Sequence, residues 1–165
     1  MSVSVTDELL KECNVKLDRY TDMIRAIDKY TTFIPHEKIL VLATAATIRS
    51  GVYRSILTKK GVEVFEFPLI ALAGAIEANA PREQLLSSIK SGMLYAKECG
   101  ATTVLYGCTH YPLVHGLFLE IQKSIEWDGT FIDPAVYVAK EVATWNLEGD
   151  KKFYPFSSKD TPAFI

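Results

Sequence analysis

A cysteine and a histidine stand two residues apart in the segment Gly107-Cys-Thr-His-Tyr-Pro-Leu113. An apolar run, Thr102-Thr-Val-Leu-Tyr106, precedes them, and Pro112 sits where a helix would start. A thiol at a helix N-terminus meets unpaired N–H groups and the positive end of the dipole, both of which lower its pKa toward thiolate. His110 could shift that pKa further or deliver a proton. A second turn, Thr44-Ala-Ala-Thr47, follows another apolar run. Its hydroxyls and free N–H groups suit an α-carboxylate or ammonium group. Together these residues read as a Cys/His site for a small anionic substrate. Each also has a plainer reading. Cys108 could be a small buried hydrophobe, Thr44 and Thr47 could cap the next helix, and Glu77 could be one more exposed helix carboxylate. Cys13 and Cys99 read as packing residues or inert thiols, and His36 and His115 as solvated or locally bonded side chains.

The elements that would position these groups alternate between strand and helix. Lys38–Ala43 is a short continuous apolar run, the pattern of a buried parallel strand. The turn at Thr44–Thr47 leads into one helix, with Ile48, Val52 and Ile56 on a face and a stop at Gly61. Val62–Phe67 is a strand. Helices follow over Ile70–Ala78 and from Pro81, the latter turning Leu85, Leu86, Ile89 and Met93 inward. After the Cys108 turn, Thr130–Ile132 is a strand, and Asp133 caps a helix from Pro134 to about Trp145. Upstream, Asp7 and Glu8 open a helical stretch to Cys13, and Thr21 caps a second helix carrying Met23, Ile24 and Ile27. Phe153–Phe156 adds an edge strand, since Pro155 argues against a central one. Strands separated by helices require crossover connections, so the expected fold is α/β, a mostly parallel sheet flanked by helices.

Composition narrows the function classes. The chain has 165 residues, 48% hydrophobic and 23% charged, the balance of one globular domain with an apolar core. A formal net charge of −2 without a basic cluster offers no footprint for nucleic acid or an anionic membrane. The longest apolar runs, Ile39–Ile48 and Phe67–Ile76, fall short of the ~18 residues of a membrane span. The first residues lack the basic and apolar regions of a signal peptide. Three cysteines at these spacings match neither a disulfide framework nor a zinc site. A cytoplasmic protein with reduced thiols is the expectation.

The Gly107–Leu113 segment, following an apolar strand, resembles the second-cysteine signature of glutamate racemases, a contiguous seven-residue match. Other segments agree in order and spacing. Ile39–Ala43 followed by Thr44-Ala-Ala-Thr-Ile-Arg-Ser-Gly-Val-Tyr53 resembles the family's strand and "GT-x-A-T-I-x-S-G-x-Y" turn. Phe67-Pro-Leu69 through Glu77 is similar to its "CPLFVPLVE" stretch, with insertions and without the leading Cys. Phe131-Ile-Asp133 and the helix to Trp145 resemble its "LIDSG…A-x-E-V" region, and Lys152-Phe-Tyr154 its "FYxTGD" strand. The resemblance extends over nearly the whole chain.

It implies a 1,1-proton transfer at the α-carbon of glutamate, supplying D-glutamate for peptidoglycan, with no pyridoxal phosphate, metal or other cofactor. Inversion needs a base on one face and an acid on the other, and the family uses two thiols. By resemblance Cys108 is one of these, His110 assists its proton transfer, and Thr109, Thr44, Thr47 and Glu77 line the substrate site. The family's "DSGxGG", "PYG" and "ACNT" motifs, the last carrying the first catalytic cysteine, are absent. Val3–Asn14 resembles the helix after "ACNT". The chain therefore reads as a truncated C-terminal portion, inactive or impaired when isolated. Residues 1–30 would be a helical segment, 31–132 the α/β domain with Cys108, and 133–165 a helix and edge strand returning to the missing domain. Alternatives are a non-catalytic remnant that binds or oligomerises, and a racemase of aspartate or another acid. Family members are often dimers, which makes a homodimer an expectation.

Overall fold

A computed structural model of the chain describes residues 20–145 and Glu12. The expected helix over Asp7–Cys13, with Cys13 itself, and the expected strand at Phe153–Phe156 lie outside the described residues. In chain order the elements are α1 (Met23–Tyr30), β1 (Lys38–Ala43), α2 (Ala45–Ser50), α3 (Val52–Lys59), β2 (Glu63–Pro68), α4 (Leu72–Glu77), α5 (Arg82–Glu98), β3 (Thr103–Tyr106), a 3₁₀ turn (Tyr111–Val114), α6 (His115–Ser124), β4 (Thr130–Ile132) and α7 (Pro134–Ala143). The four strands form one wholly parallel sheet in the order β2-β1-β3-β4.

The all-apolar run of β1 places it at the centre, where both its faces are covered. Ile39, Leu40, Val41, Leu42 and Ala43 are fully buried. Alternate residues feed two cores. Leu40 and Leu42 join Val104 and Tyr106 against α4, α5 and α6, through Leu72, Ile89, Met93 and Phe118. Ile39, Val41, Ala43 and Leu105 face the other way, against Ile24 and Ile27 of α1 and Tyr53 and Leu57 of α3. Helix α7 is tied to α1, where Lys29 and Thr21 both donate to the Glu141 carboxylate (2.9 and 2.6 Å). At one border of the sheet, Arg54 of α3 pairs with Glu66 (2.6 Å) and donates to the Val64 carbonyl of β2 (3.1 Å).

Three local expectations change. Asp22, not Thr21, caps α1: its extended backbone lets the carboxylate accept from the N–H groups of Ile24 and Arg25 (2.8 and 2.9 Å). The single helix expected after Thr47 starts earlier, at Ala45, and breaks in two at Gly51. Gly51 adopts φ +64°, a left-handed conformation that ends α2 and redirects the chain into α3. Pro112 opens a 3₁₀ turn, and the α-helix proper begins only at His115.

At the end of β3, Gly107 lies hard against β1, its N–H donating to the Leu42 carbonyl (2.7 Å). A Cβ there would stand 2.7 Å from Ala43 Cβ and 3.2 Å from the Leu42 oxygen. Both neighbours belong to the central strand and cannot swing away. Gly107→Ala should therefore destabilise the fold by about 1–3 kcal/mol, the usual cost of overpacking. Urea denaturation would measure it, and an unchanged midpoint would refute it.

Candidate active site

The strand order doubles back between β1 and β3, since the chain runs from β1 outward to β2 and returns to the other side. In open parallel sheets ligands bind beyond the carboxyl ends of the strands at such a switch point. The two turns leaving β1 and β3 are those that hold Thr44–Thr47 and Gly107–His110. The paired residues Leu42 and Tyr106 bring both turns to the same level of the sheet.

At the turn after β3 three side chains form a line. Cys108 Sγ lies 3.6 Å from His110 Nδ1, and His110 Nε2 lies 2.8 Å from Glu77 Oε1 at the end of α4. The turn is braced from below. Tyr111, fully buried, donates its N–H to the Cys108 carbonyl (3.2 Å) and its hydroxyl to the Leu69 carbonyl (3.2 Å). A Glu77 carboxylate accepting from Nε2–H fixes the tautomer that leaves the Nδ1 lone pair facing sulfur. In that arrangement the imidazole can take the thiol proton, and the carboxylate stabilises the resulting imidazolium. Glu77 is half exposed and His110 less so, so the line opens to solvent at one end and is sheltered at the other.

The thiol itself departs from expectation. Burial pushes the Cys108 pKa up; the backbone N–H groups of His110 and Tyr111 pull it back in part, and the Glu77 carboxylate adds to the rise. The expected lowering fails because burial outweighs these local N–H donors, and the α-helix proper starts only at His115. Such a thiol is mostly protonated at neutral pH and, once ionised, is a stronger base than an ordinary thiolate. Cys108 should therefore alkylate more slowly than a free cysteine at neutral pH, its rate climbing through alkaline pH. Site-resolved mass spectrometry over a pH series would check this, and a rate plateau reached below neutral pH would refute it.

Thr44 caps α2: its Oγ1 accepts from the Thr47 N–H (3.3 Å) and lies 3.0 Å from the Thr47 hydroxyl. Capping and substrate contact are compatible, since both hydroxyls are only half-buried. Thr109 is exposed at the tip of the Cys108 turn. Cys99 ends α5, where Lys38 donates to its carbonyl (3.5 Å), at the opposite edge of the sheet from Cys108.

Two more residues lie near the site: Tyr53, which the sequence pattern gives no role, and His115, locally hydrogen-bonded as expected. Tyr53, almost wholly buried, has its hydroxyl pKa raised first by burial and then by Asp22, Cys108 and Asp133, which places it within electrostatic reach of the thiol. Its only signal was its place in the Ser-Gly-x-Tyr turn. His115 Nδ1 lies 2.8 Å from the buried Tyr106 hydroxyl. Both line a cavity of about 370 Å³ with Phe131, Asp133 and Tyr137 at the ends of β3 and β4. Among the described residues no group of three His, Cys, Asp or Glu side chains could hold a metal ion. No helix among them is long and apolar enough to cross a membrane.

No protein-family model matches the chain. Among curated proteins, a glutamate racemase of Persephonella marina is 28% identical over 129 residues, covering 77% of this chain and 49% of that protein. One of Trichodesmium erythraeum is 32% identical over 123 residues, covering 70% and 44%. The chain thus spans about half the length or less of the curated relatives it matches. Among solved structures, glutamate racemase from Francisella tularensis in complex with D-glutamate aligns with a TM-score of 0.63 at 25% identity, over 74% of this chain and 45% of that one. A glutamate racemase isoform from Bacillus anthracis aligns at 0.57 and 28%, with the same coverage.

Proposed function

As a homologue of glutamate racemases over part of their length, this chain, we propose, moves the α-proton of glutamate by thiol chemistry at Cys108. The observation that carries the reading is the Cys108–His110–Glu77 line at the switch point of the sheet. An amino-acid α-proton is very weakly acidic, so its removal calls for a strong, sheltered base. A thiolate partly removed from water is such a base. His110 accepts the thiol proton to generate it, and Glu77 holds the imidazole in the required tautomer. The hydroxyls of Thr44, Thr47 and Thr109 and the free N–H groups of the two turns bind the substrate's carboxylate and ammonium groups. The resemblance of the Cys-Thr-His-Tyr-Pro turn, and the D-glutamate complex of the Francisella protein, favour glutamate over aspartate. In this reading the chain corresponds to the part of a racemase that serves one face of the α-carbon, in the cytoplasmic supply of D-glutamate to peptidoglycan.

The test is hydrogen exchange in deuterated water. The chain should replace the α-hydrogen of one glutamate enantiomer with deuterium while preserving its configuration, because among the described residues the Cys108 turn serves a single face. Proton NMR reads the exchange, and a chiral assay reads the configuration. Absence of exchange for both enantiomers would remove the reading.

A further inference from the structure

The cavity beyond the ends of β3 and β4 is bordered by none of Cys108, His110 and Glu77. Its volume, about 370 Å³, suits a small organic molecule. Three aromatic residues line it, Tyr106, Phe131 and Tyr137, and Asp133 is the one acidic side chain among the described residues that do so. No Lys or Arg joins them.

The polar groups of this lining are held in place. Tyr106 is 2% exposed, so its hydroxyl must donate within the protein, and His115 Nδ1 lies 2.8 Å away. That bond leaves the imidazole proton on Nε2. Phe131 meets the same imidazole edge-on, with 5.3 Å between ring centres and 89° between planes. Asp133 uses Oδ1 to cap α7, accepting from the Ala135 N–H (2.9 Å). Its Oδ2 accepts no hydrogen bond from a described residue.

We propose that this cavity binds a small organic amine, its ammonium group on Asp133 and its apolar body against Phe131 and Tyr137. A carboxylate attracts the ammonium, and aromatic faces draw cations through their quadrupole. Tyr137 already attracts one from outside the lining: the Lys140 ammonium stands 5.1 Å from its ring centre. A ligand carrying a carboxylate or phosphate meets the reverse, since Asp133 repels it and no lining Lys or Arg compensates. His115 Nε2–H is a donor for a hydroxyl or ether oxygen on the same amine. The place follows the general rule for open parallel sheets, whose ligands sit beyond the carboxyl ends of the strands. Pro112 also lines the cavity, and it directly follows Tyr111, which braces the Cys108 turn. The amine site does not depend on the proposed proton transfer.

Tyramine is the probe. Its counterparts are para-ethylphenol, which lacks the amino group, and para-hydroxyphenylpropionate, which carries a carboxylate instead. Titration calorimetry on the 165-residue chain should show tyramine binding about tenfold more tightly than para-ethylphenol, the worth of one charge-assisted hydrogen bond. The propionate should bind more weakly than either. Asp133→Asn should erase the advantage of tyramine while α7 stays capped, because asparagine caps as well as aspartate. Cys108→Ser should leave tyramine affinity unchanged, which separates this site from the Cys108 turn. Should Asp133→Asn not fold, NMR of the unaltered chain decides, since tyramine must then shift the ring signals of Phe131 and Tyr137. Equal affinity for tyramine and para-ethylphenol, an advantage that survives Asp133→Asn, ring signals that stay still, or dependence on Cys108 would each overturn the proposal.

Discussion

Cys108→Ser should reduce α-hydrogen exchange of glutamate by a factor of about 10²–10⁴ or more, the usual range for removing a positioned acid–base group. Serine keeps the shape and the two backbone N–H partners but has a hydroxyl that will not ionise near neutral pH. Loss of exchange with an unchanged unfolding midpoint would separate chemistry from folding, because Cys108 lies at the rim of the core. The other members of the line should lose less and differently. Glu77→Gln retains a side-chain acceptor for the imidazole Nε2–H but removes the charge that stabilises imidazolium. Its exchange rate should fall less than that of His110→Ala, which leaves the thiol with no proton acceptor. Equal rates for Cys108→Ser and the unaltered chain, read by NMR in deuterated water, would remove Cys108 from the mechanism.

The largest effect on stability should come from Phe118→Ala, about 3–5 kcal/mol, the range for truncating a buried aromatic. Phe118 is fully buried on α6 and packs its ring 4.9 Å from Tyr106, 6.0 Å from Phe131 and 6.3 Å from Tyr111, centroid to centroid. These rings occupy the space between α6 and the ends of β3 and β4. Removing one leaves a cavity that cannot collapse, because Tyr106 is held by His115 and Tyr111 by the Leu69 carbonyl. Since Tyr111 also braces the Cys108 turn, the variant should lose exchange activity at temperatures where it is still folded. Denaturant unfolding with parallel exchange assays would test both halves; a loss below 1 kcal/mol would contradict the packing argument.

Elements with a strong local pattern were legible in the sequence. The apolar run at Lys38–Ala43 and the Asp133-Pro134 start of α7 are where periodicity and capping place them. Exceptions occur where a neighbour outcompetes local chemistry. Thr21 is an acceptable cap, but one charged oxygen of Asp22 takes two N–H groups at once, and Glu141 from α7 engages the Thr21 hydroxyl. Gly51 breaks a helix whose apolar spacing runs on unbroken, because its left-handed φ is invisible to a hydrophobic pattern. At the site, Cys108 and His110 could be named from a short motif, whereas Glu77 meets His110 across 33 positions of sequence. That meeting depends on the packing of α4 against the Cys108 turn. The direction of the Cys108 pKa is hidden from the sequence for the same reason: burial is a tertiary property, and here it outweighs the local backbone donors.

The Arg54–Glu66 pair has a consequence for how this molecule can aggregate. Strand β2 is a sheet border, and borders invite strand addition from other chains. Here the guanidinium occupies the Val64 carbonyl, charged Glu63 begins the strand, and Pro68 ends it. The other described border, β4, is only three residues long. Neither offers a long, flat row of free backbone groups, so lateral polymerisation is discouraged among the described strands. Growth through sheet borders would bury successive copies without end, and these short or occupied borders oppose it.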